Sequence, residues 1–363
     1  RSTLFPYTTL FRSPYRLHRN DPKGMYGLAV GFPAQLRSAA EIARNAELPT
    51  ESAGVSNVVV TGLGGSAAGG DFARALFESE GRVPLSVNRD YRLPRFAGSN
   101  TLVFATSYSG NTEETLSAYD DARARKCRIV VVTSGGELAQ RAGRDGVPVV
   151  RIPGGQPPRT AMGFMLVPLL VLAERLGLLQ PQDVSAAADA VESAGAAWLD
   201  RLPTEKNVAK QLAMALYGAV GTLYGLESWA AVVANRWKGQ INENAKQHVF
   251  ANVFPELNHN EILAWEGARD QGVSRWVTLF LGAGAESPRS KSRAQVTERL
   301  IQGATSVYWV PALGTTLLAR MLTLASLGDF VSLYLAALRG VDPYTIRSID
   351  EIKTELGKRL ESQ

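Results

Sequence analysis

Two side chains in this sequence are well suited to acid–base chemistry on a sugar. Glu243 begins the run Glu-Asn-Ala-Lys, and His259 stands between two asparagines. A carboxylate can remove a carbon-bound proton, and an imidazole titrates close to neutral pH and can exchange protons with hydroxyl groups. Interconversion of an aldose and a ketose requires both steps. The chain holds only 3 histidines, His18, His248 and His259, so candidates for the imidazole role are few.

The helix predicted around Glu243 allows two interpretations. Apolar residues recur at every fourth position, which predicts a buried stripe formed by Trp237, Ile241, Ala245 and Val249. Glu243 lies away from that stripe. A solvated Glu243 that pairs with a neighbouring lysine is the simpler interpretation for an arbitrary helix. The surrounding asparagines favour instead a polar surface that faces a site.

Two further segments could bind a phosphate group. Gly62-Leu-Gly-Gly-Ser66 and Ser107-Tyr-Ser-Gly-Asn-Thr112 each follow a predicted strand and precede a predicted helix. Backbone N–H groups at the start of a helix attract anions, and hydroxyl groups add donors without a cationic side chain. The first loop alone would also suit a dinucleotide or a tight turn, and Thr112 alone would suit a helix cap. Together they favour a phosphate site, in which the second loop supplies the hydroxyl groups of Ser107, Ser109 and Thr112.

Two basic residues are weaker candidates by themselves. Arg159 follows a glycine-rich loop and could stabilise an anionic intermediate, although a surface arginine is the alternative. Lys353 belongs to a predicted C-terminal helix, where lysines are common on exposed faces. No cluster of histidine and cysteine has the spacing of a metal site, so no metal or other cofactor is expected.

The predicted elements alternate strand, loop and helix, which favours an α/β fold with parallel sheets and helices on both faces. We expect two such units in tandem, each a doubly wound parallel sheet of the flavodoxin-like, three-layer kind. The predicted divisions are a non-native or disordered segment 1–20, a first domain 21–180, a helical linker 181–207 and a second domain 208–363. The predicted strands are 55–61, 83–88, 101–106, 128–133 and 147–152 in the first domain, and 219–224, 276–281 and 306–310 in the second.

Composition limits the classes of partner. The net charge of +5 depends on four arginines within residues 1–20, without which it falls to +1, and the remaining charges are mixed. We therefore expect no nucleic-acid partner. The longest apolar run, 161–173, is too short to cross a bilayer, so no membrane association is expected. The single cysteine, Cys127, cannot form an intrachain disulfide, which favours a reducing, cytoplasmic compartment.

These motifs, in this order, resemble the bifunctional phosphoglucose/phosphomannose isomerase family, which is built from two sugar-isomerase (SIS) domains. The resemblance extends from Asp21 to Leu360, and it includes Pro158-Arg-Thr-Ala, Glu256-Leu-Asn-His-Asn-Glu and Gly328-Asp-Phe-Val-Ser-Leu-Tyr-Leu-Ala. It implies that glucose 6-phosphate and mannose 6-phosphate are interconverted with fructose 6-phosphate through a cis-enediolate.

The resemblance also implies individual roles. Gly65, Ser66, Ser107, Ser109 and Thr112 would hold the sugar phosphate. Glu243 would be the isomerising base and Arg159 would stabilise the enediolate, while His259 would open the sugar ring across the interface of a homodimer. Lys353 would match the family's C-terminal ring-opening lysine. The family's Asp-Pro-Thr-Pro-like segment reads Asp342-Pro-Tyr-Thr345 here, which leaves the preference between glucose and mannose open.

Other classes of function make different demands on the sequence. A non-catalytic sugar-phosphate sensor would keep the phosphate loops without the Glu243 and His259 pair, and a single-specificity glucose-6-phosphate isomerase would keep all of them. A glutamine-dependent amino-sugar isomerase would need an amidotransferase domain with a nucleophilic cysteine. A dinucleotide-dependent dehydrogenase would leave Ser107–Thr112 without a role.

Overall fold

The computed structural model describes residues 15–47 and 54–361. The chain forms two parallel sheets with helices packed around them. The expected fold class, two doubly wound α/β units in tandem, is therefore confirmed.

The first sheet has five strands in the order β2-β1-β3-β4-β5, all parallel. Its strands read as almost continuous apolar runs because both faces are covered, and all seven residues of β3 are buried. The carboxyl ends of β1 and β3 point to the same edge, where the two predicted phosphate loops follow. Strand bounds are β1 Asn57–Thr61, β2 Leu85–Asn88, β3 Thr101–Ser107, β4 Arg128–Thr133 and β5 Val149–Arg151.

Helices connect these strands and precede them. The helices predicted after the two phosphate loops are present as α4 and α5, but α6 was not predicted, because its nine residues include two glycines and three charged residues. The helix bounds are α1 Tyr15–Arg19, α2 Met25–Val30, α3 Phe32–Arg44, α4 Gly64–Glu80, α5 Glu113–Ala124, α6 Gly136–Arg144 and α7 Met162–Arg175.

The second sheet has four parallel strands in the order β7-β6-β8-β9. This order repeats the arrangement of the first four strands of the first sheet. The strands are β6 Val220–Gly225, β7 Val249–Val253, β8 Trp276–Ala283 and β9 Thr305–Pro311. The remaining helices are α8 Val184–Gly195, α9 Val208–Leu216, α10 Ser228–Ala245, α11 Pro288–Ile301, α12 Leu317–Arg339 and α13 Arg347–Glu361.

One element was assigned wrongly from the sequence. Val249 was expected to continue the buried stripe of the helix around Glu243, but α10 ends at Ala245 and Val249 begins strand β7. The helix ends because Lys246 adopts a left-handed conformation with φ of 52°. A valine at this spacing fits either a helix stripe or a strand, so the apolar period alone could not separate the two.

The N-terminal expectation also needs a correction. Tyr15–Arg19 forms helix α1, Leu17 is buried, and the His18 imidazole contacts the Asp200 carboxylate at 2.9 Å. The packed chain therefore begins before residue 20, since a buried leucine and a hydrogen-bond contact hold this turn against the rest of the protein. Residues 1–14 lie outside the described part of the chain.

Helix α12 is the central support of the second unit. It has the length and apolar composition of a membrane-spanning helix, but the whole of its apolar window is buried inside the protein. Such helices are also common in protein cores. It packs closely on α10, where the Trp237 indole donates a hydrogen bond of 2.8 Å to the Leu324 carbonyl. Gly328 leaves the room for this fully buried indole, because a Cβ at that position would overlap the ring.

This close approach predicts that Gly328→Ala destabilises the protein. Trp237 has no exposed surface toward which it could move, so overpacking should lower the free energy of unfolding by about 1–3 kcal/mol. Urea denaturation measures the effect. The matched control is Gly143→Ala in α6, where no atom beyond the neighbouring residues and the helix's own backbone lies within 4 Å of the added methyl. That change should stabilise the protein by up to about 1 kcal/mol, and equal effects of the two changes would contradict the packing argument.

Candidate active site

A cleft of about 470 Å³ lies between helices α4 and α10. Helix α4 follows a strand of the first sheet, and α10 follows a strand of the second. From the first unit the cleft is lined by Gly64, Gly65, Ala68, Asp71, Phe72, Arg74, Arg89 and Arg159, and from the second by Val232, Asn235, Arg236, Gly239, Gln240 and Glu243. The cleft therefore brings Gly65, Arg159 and Glu243 together, three of the residues predicted for the site.

Arg159 reaches the cleft from a short 3-10 turn, Pro158–Thr160. This turn lies against the start of α4, where a Cβ on residue 65 would come within 2.6 Å of the Pro158 carbonyl oxygen. Only glycine allows so close an approach, so Gly65 fixes the distance between the turn and the phosphate loop. Its role is thus at least partly one of packing.

The Arg159 guanidinium is buried and almost fully bonded. Its Nε donates to Asn244 Oδ1 at 2.8 Å, and its Nη2 donates to the carbonyl oxygens of Pro343 at 2.6 Å and Tyr344 at 3.1 Å. Nη1 lies 3.4 Å from a carboxylate oxygen of Glu243. Burial lowers the pKa of Arg159, and the charge of Glu243 opposes that effect. The guanidinium keeps its positive charge at neutral pH, because arginine side chains are not deprotonated in proteins.

Glu243 occupies the last turn of α10, and about a third of its side chain is exposed to the cleft. Lys246, just beyond the end of the helix, donates from Nζ to the carbonyl oxygens of Glu243 at 2.8 Å and Asp342 at 2.7 Å. Burial and the positive charge of Arg159 lower the pKa of Lys246. The carboxylate of Glu243 therefore lies among positive charges at the end of a helix.

A second set of polar side chains, on α10 and α12, supports Arg159 and its turn. Asn244 donates from Nδ2 to Ser332 Oγ on α12 at 2.9 Å. Arg236 donates to both carboxylate oxygens of Asp329, at 2.9 and 3.0 Å, and to the carbonyl of Arg159 at 3.3 Å. Gln240 also donates to Asp329, at 2.7 Å. All these partners are buried, so the network fixes the 3-10 turn relative to α10 and α12.

The two predicted phosphate loops form a second cluster of polar side chains, at the edge of the first sheet. The Ser107 and Thr112 hydroxyls lie 2.9 Å apart, and Ser107 Oγ accepts from the Gly110 N–H at 3.1 Å. Ser66 Oγ accepts from the Tyr108 N–H at 3.2 Å and so joins the two loops. Ser109 is exposed at the rim, and its Oγ accepts from the N–H of Asn111 at 3.3 Å. The structure therefore brings these hydroxyls to one edge of the sheet, beside Gly65.

The two remaining predicted residues lie elsewhere in the protomer. His259 is exposed at the end of the 3-10 turn Glu256–His259, and Lys353 is exposed on α13. Among the described residues that line the cleft, neither is present. Within the described part of the chain, no group of three or more His, Cys, Asp and Glu side chains could hold a metal ion.

Sequence reasoning did not assign Arg236 or Asp329 to the site, and it included Asn244 only as part of a polar surface that faces the site, with no role of its own. Asn244 follows Ile241 by three positions, which places it beside the predicted buried stripe, and a buried amide needs polar partners. This spacing was the feature of the sequence that could have identified Asn244 as a buried polar residue. The partners themselves could not be predicted, because Arg159 and Ser332 lie 85 and 88 positions from Asn244.

We expect Asn244→Leu to destabilise the protein by about 2–3 kcal/mol, because it leaves the buried Arg159 Nε without an acceptor and removes the donor to Ser332. Thermal and urea unfolding measure this loss. Asn242→Leu is the matched control two positions earlier, since the buried Oδ1 of Asn242 has no hydrogen-bond partner. A loss for Asn242→Leu as large as that for Asn244→Leu would show that the network does not hold Arg159.

Residues 205–356 match the model of the bacterial phospho-glucose isomerase C-terminal SIS domain, and residues 53–156 match the SIS domain model. A bifunctional phosphoglucose/phosphomannose isomerase from Caldicellulosiruptor bescii is 40% identical over 337 residues, which cover 92% of this chain and 99% of the relative. Another, from Aquifex aeolicus, is 36% identical over 303 residues, covering 83% and 90%.

A solved structure has the same fold. A hypothetical protein from Thermus thermophilus superposes with a TM-score of 0.75 and 19% identity, covering 97% of this chain and 94% of that chain. The family resemblance seen in the sequence is confirmed. The chain belongs to the bifunctional phosphoglucose/phosphomannose isomerase family, and it is a sugar-phosphate isomerase with two SIS domains.

Proposed function

We propose that this enzyme interconverts glucose 6-phosphate and mannose 6-phosphate with fructose 6-phosphate. The observation that carries the proposal is the pairing of the Glu243 carboxylate with the Arg159 guanidinium, 3.4 Å apart in one cleft beside Gly65. A base next to a fixed positive charge suits a reaction that generates an anion by removing a proton from carbon.

The phosphate would bind to the cluster of hydroxyls that Ser66, Ser107, Ser109 and Thr112 contribute. In the free protein these hydroxyls form hydrogen bonds with one another and accept from backbone N–H groups. Each hydroxyl therefore has an O–H group that could rotate and donate to an anion. Binding the phosphate far from C1 and C2 supplies energy that positions the reacting carbons.

Glu243 would act on the open-chain sugar. Its carboxylate takes the proton from C2 of the aldose, the C–H electrons form the C1=C2 double bond, and the aldehyde oxygen becomes the enediolate oxygen. Arg159 stabilises that negative charge. Glu243 then returns the proton to C1, while the O2 proton passes to O1 and leaves a ketone at C2. These steps use acid–base groups of the chain and require no cofactor.

Ring opening would be the task of His259 and Lys353. It breaks the C1–O5 bond, adds a proton to O5 and removes the proton from the C1 hydroxyl. Because His259 is exposed and lies outside the cleft of its own protomer, we propose a homodimer in which it serves the partner's cleft. Lys353 would approach the same cleft through α13.

The remaining proposals concern the cellular location, the partners and the domain boundaries of the protein. We propose a cytoplasmic location, supported by the buried free thiol of Cys127, and neither a nucleic-acid nor a membrane partner. The division into a non-native segment within residues 1–20, domains 21–180 and 208–363, and a linker 181–207 stays a proposal as well. The two separate sheets support the division into two domains, and helix α1 supports including Tyr15–Arg19 in the folded part of the chain.

Glu243→Gln tests the proposed base. It should lower kcat at least about 100-fold, because general-base catalysis contributes roughly that much or more, while sugar-phosphate binding remains. The measurement follows glucose 6-phosphate and mannose 6-phosphate separately, starting from fructose 6-phosphate, and calorimetry measures binding. Glu41→Gln, on the exposed face of α3, is the control and should behave as wild type. Formation of glucose 6-phosphate alone would identify a single-specificity isomerase, and binding without either product in the wild type would indicate a sensor.

Mixing two inactive variants tests the shared site. Glu243→Gln and His259→Asn should each be inactive alone, whereas refolding them together should restore up to about a quarter of wild-type activity. Half of the dimers are then hybrids, and each hybrid has one intact site when the residues come from different protomers. If mixing restores no activity although hybrid dimers form, both residues of a site belong to one protomer.

A further inference from the structure

The helix that carries Glu243 also carries a glycine in its interior. Gly239 lies within α10, well before the helix ends at Ala245. Glycine is a poor residue for a helix interior, because it loses more backbone freedom on folding than any other residue and brings no side chain to pack. Its backbone here is ordinary right-handed helix, so the left-handed conformations that favour glycine do not explain it.

Packing within the protomer does not require this glycine either. Among the described residues, and apart from its chain neighbours and the backbone of α10 itself, no atom lies within 4 Å of a Cβ built on Gly239. Gly69 on α4 and Gly328 on α12 differ, because a Cβ on either would overlap a backbone carbonyl or an indole ring. The protomer by itself therefore has room for a side chain at position 239.

The space beside Gly239 belongs to the cleft that contains Glu243. Both residues line this cleft. They are four positions apart, so they share one face of α10 and lie about 6 Å apart along its axis. Asn235, four positions earlier, also lines the cleft, is exposed, and carries an amide that suits sugar hydroxyls. A side chain at position 239 would project into the cleft between Glu243 and Asn235.

The proposed reaction needs room at this point. Glucose 6-phosphate and mannose 6-phosphate differ only in the configuration at C2. If C3 is held in one place and the C2–H bond points to the Glu243 carboxylate in both sugars, C1 and O2 exchange positions between the two. The cleft wall beside Glu243 must then accept the aldehyde group at either position. Added bulk at such a wall would discriminate between the two substrates.

We propose that Gly239 is a specificity-determining residue, which leaves room beside Glu243 for C1 and O2 of both aldoses. The inference rests on the proposed function and deepens it, since it assigns the acceptance of both epimers to one position in the cleft. The chain gives up helix stability at this position, because alanine would suit both the backbone and the surrounding space. Such a loss is common where the demands of function and stability conflict.

Gly239→Ala tests the assignment, because its effects on stability and on activity should have opposite signs. The midpoint of urea denaturation should rise, since alanine favours the helix and its methyl group meets open space. In contrast, kcat/KM should fall for both aldoses by unequal factors, the larger at least about tenfold, as expected for one methyl group at a wall that contacts substrate. Separate assays that start from glucose 6-phosphate and from mannose 6-phosphate measure the two factors.

Two comparisons make the result specific. Gly143→Ala adds a methyl group at an equally open position of α6, outside the cleft lining, and should raise stability without changing either kcat/KM. Inorganic phosphate should have the same inhibition constant for Gly239→Ala as for the wild type, because the hydroxyl cluster of the proposed phosphate site is unchanged. The inference would be overturned by unchanged kinetics of Gly239→Ala, by an equal loss for both aldoses, by weaker phosphate inhibition, or by a loss of activity that accompanies lower stability.

Failure of this inference can be told apart from failure of the proposed function. A wild-type enzyme that forms both aldoses from fructose 6-phosphate, with a Gly239→Ala variant that forms both at unchanged rates, rejects only the role of Gly239. A wild-type enzyme that forms one aldose or neither rejects the proposed function itself.

Discussion

The buried guanidinium of Arg159 is the interaction on which the arrangement of the site depends. A charge removed from water must be bonded on all sides, because an unpaired buried charge is strongly destabilising. Its partners are Asn244 and Glu243 on α10 and the segment before α13, while its own turn lies against α4. One side chain thus joins the first SIS domain to two parts of the chain that belong to the second, and it places the cleft at their junction.

Helices α10 and α12 form the platform for this cation. The Asp329 carboxylate compensates the charge of Arg236, and Ser332 orients Asn244, so two polar contacts with α12 support the Arg159 turn from below. Between them, Trp237 and Gly328 allow the helices to approach closely. Packing and hydrogen bonding therefore reinforce each other, and a shift of α12 would displace both Glu243 and Arg159.

The two sheets share strand order, but their equivalent loops differ chemically. In the first sheet, Ser66 joins the loops after β1 and β3 by accepting from the N–H of Tyr108. In the second sheet the carboxylate of Glu227 takes that place and accepts from the N–H of Ser287 at 2.8 Å. A carboxylate at the start of a helix occupies the position that an anion would seek. The hydroxyls of the proposed phosphate site therefore lie on the first sheet, while the proposed base, Glu243, comes from a helix of the second.

The sequence by itself determined the fold class, most of the strands and helices, and the candidate residues, because apolar periodicity and strand-to-helix glycines are local signals. Local signals also placed Ser107 and Thr112 correctly at one sheet edge. They failed at Val249, where the period fits both a helix and a strand. Only the tertiary structure decided which polar groups support Arg159, since its bond to the Pro343 carbonyl spans 184 positions. It also placed His259 and Lys353 outside the lining of the cleft. Such contacts depend on how distant elements pack, and no spacing within a single segment encodes them.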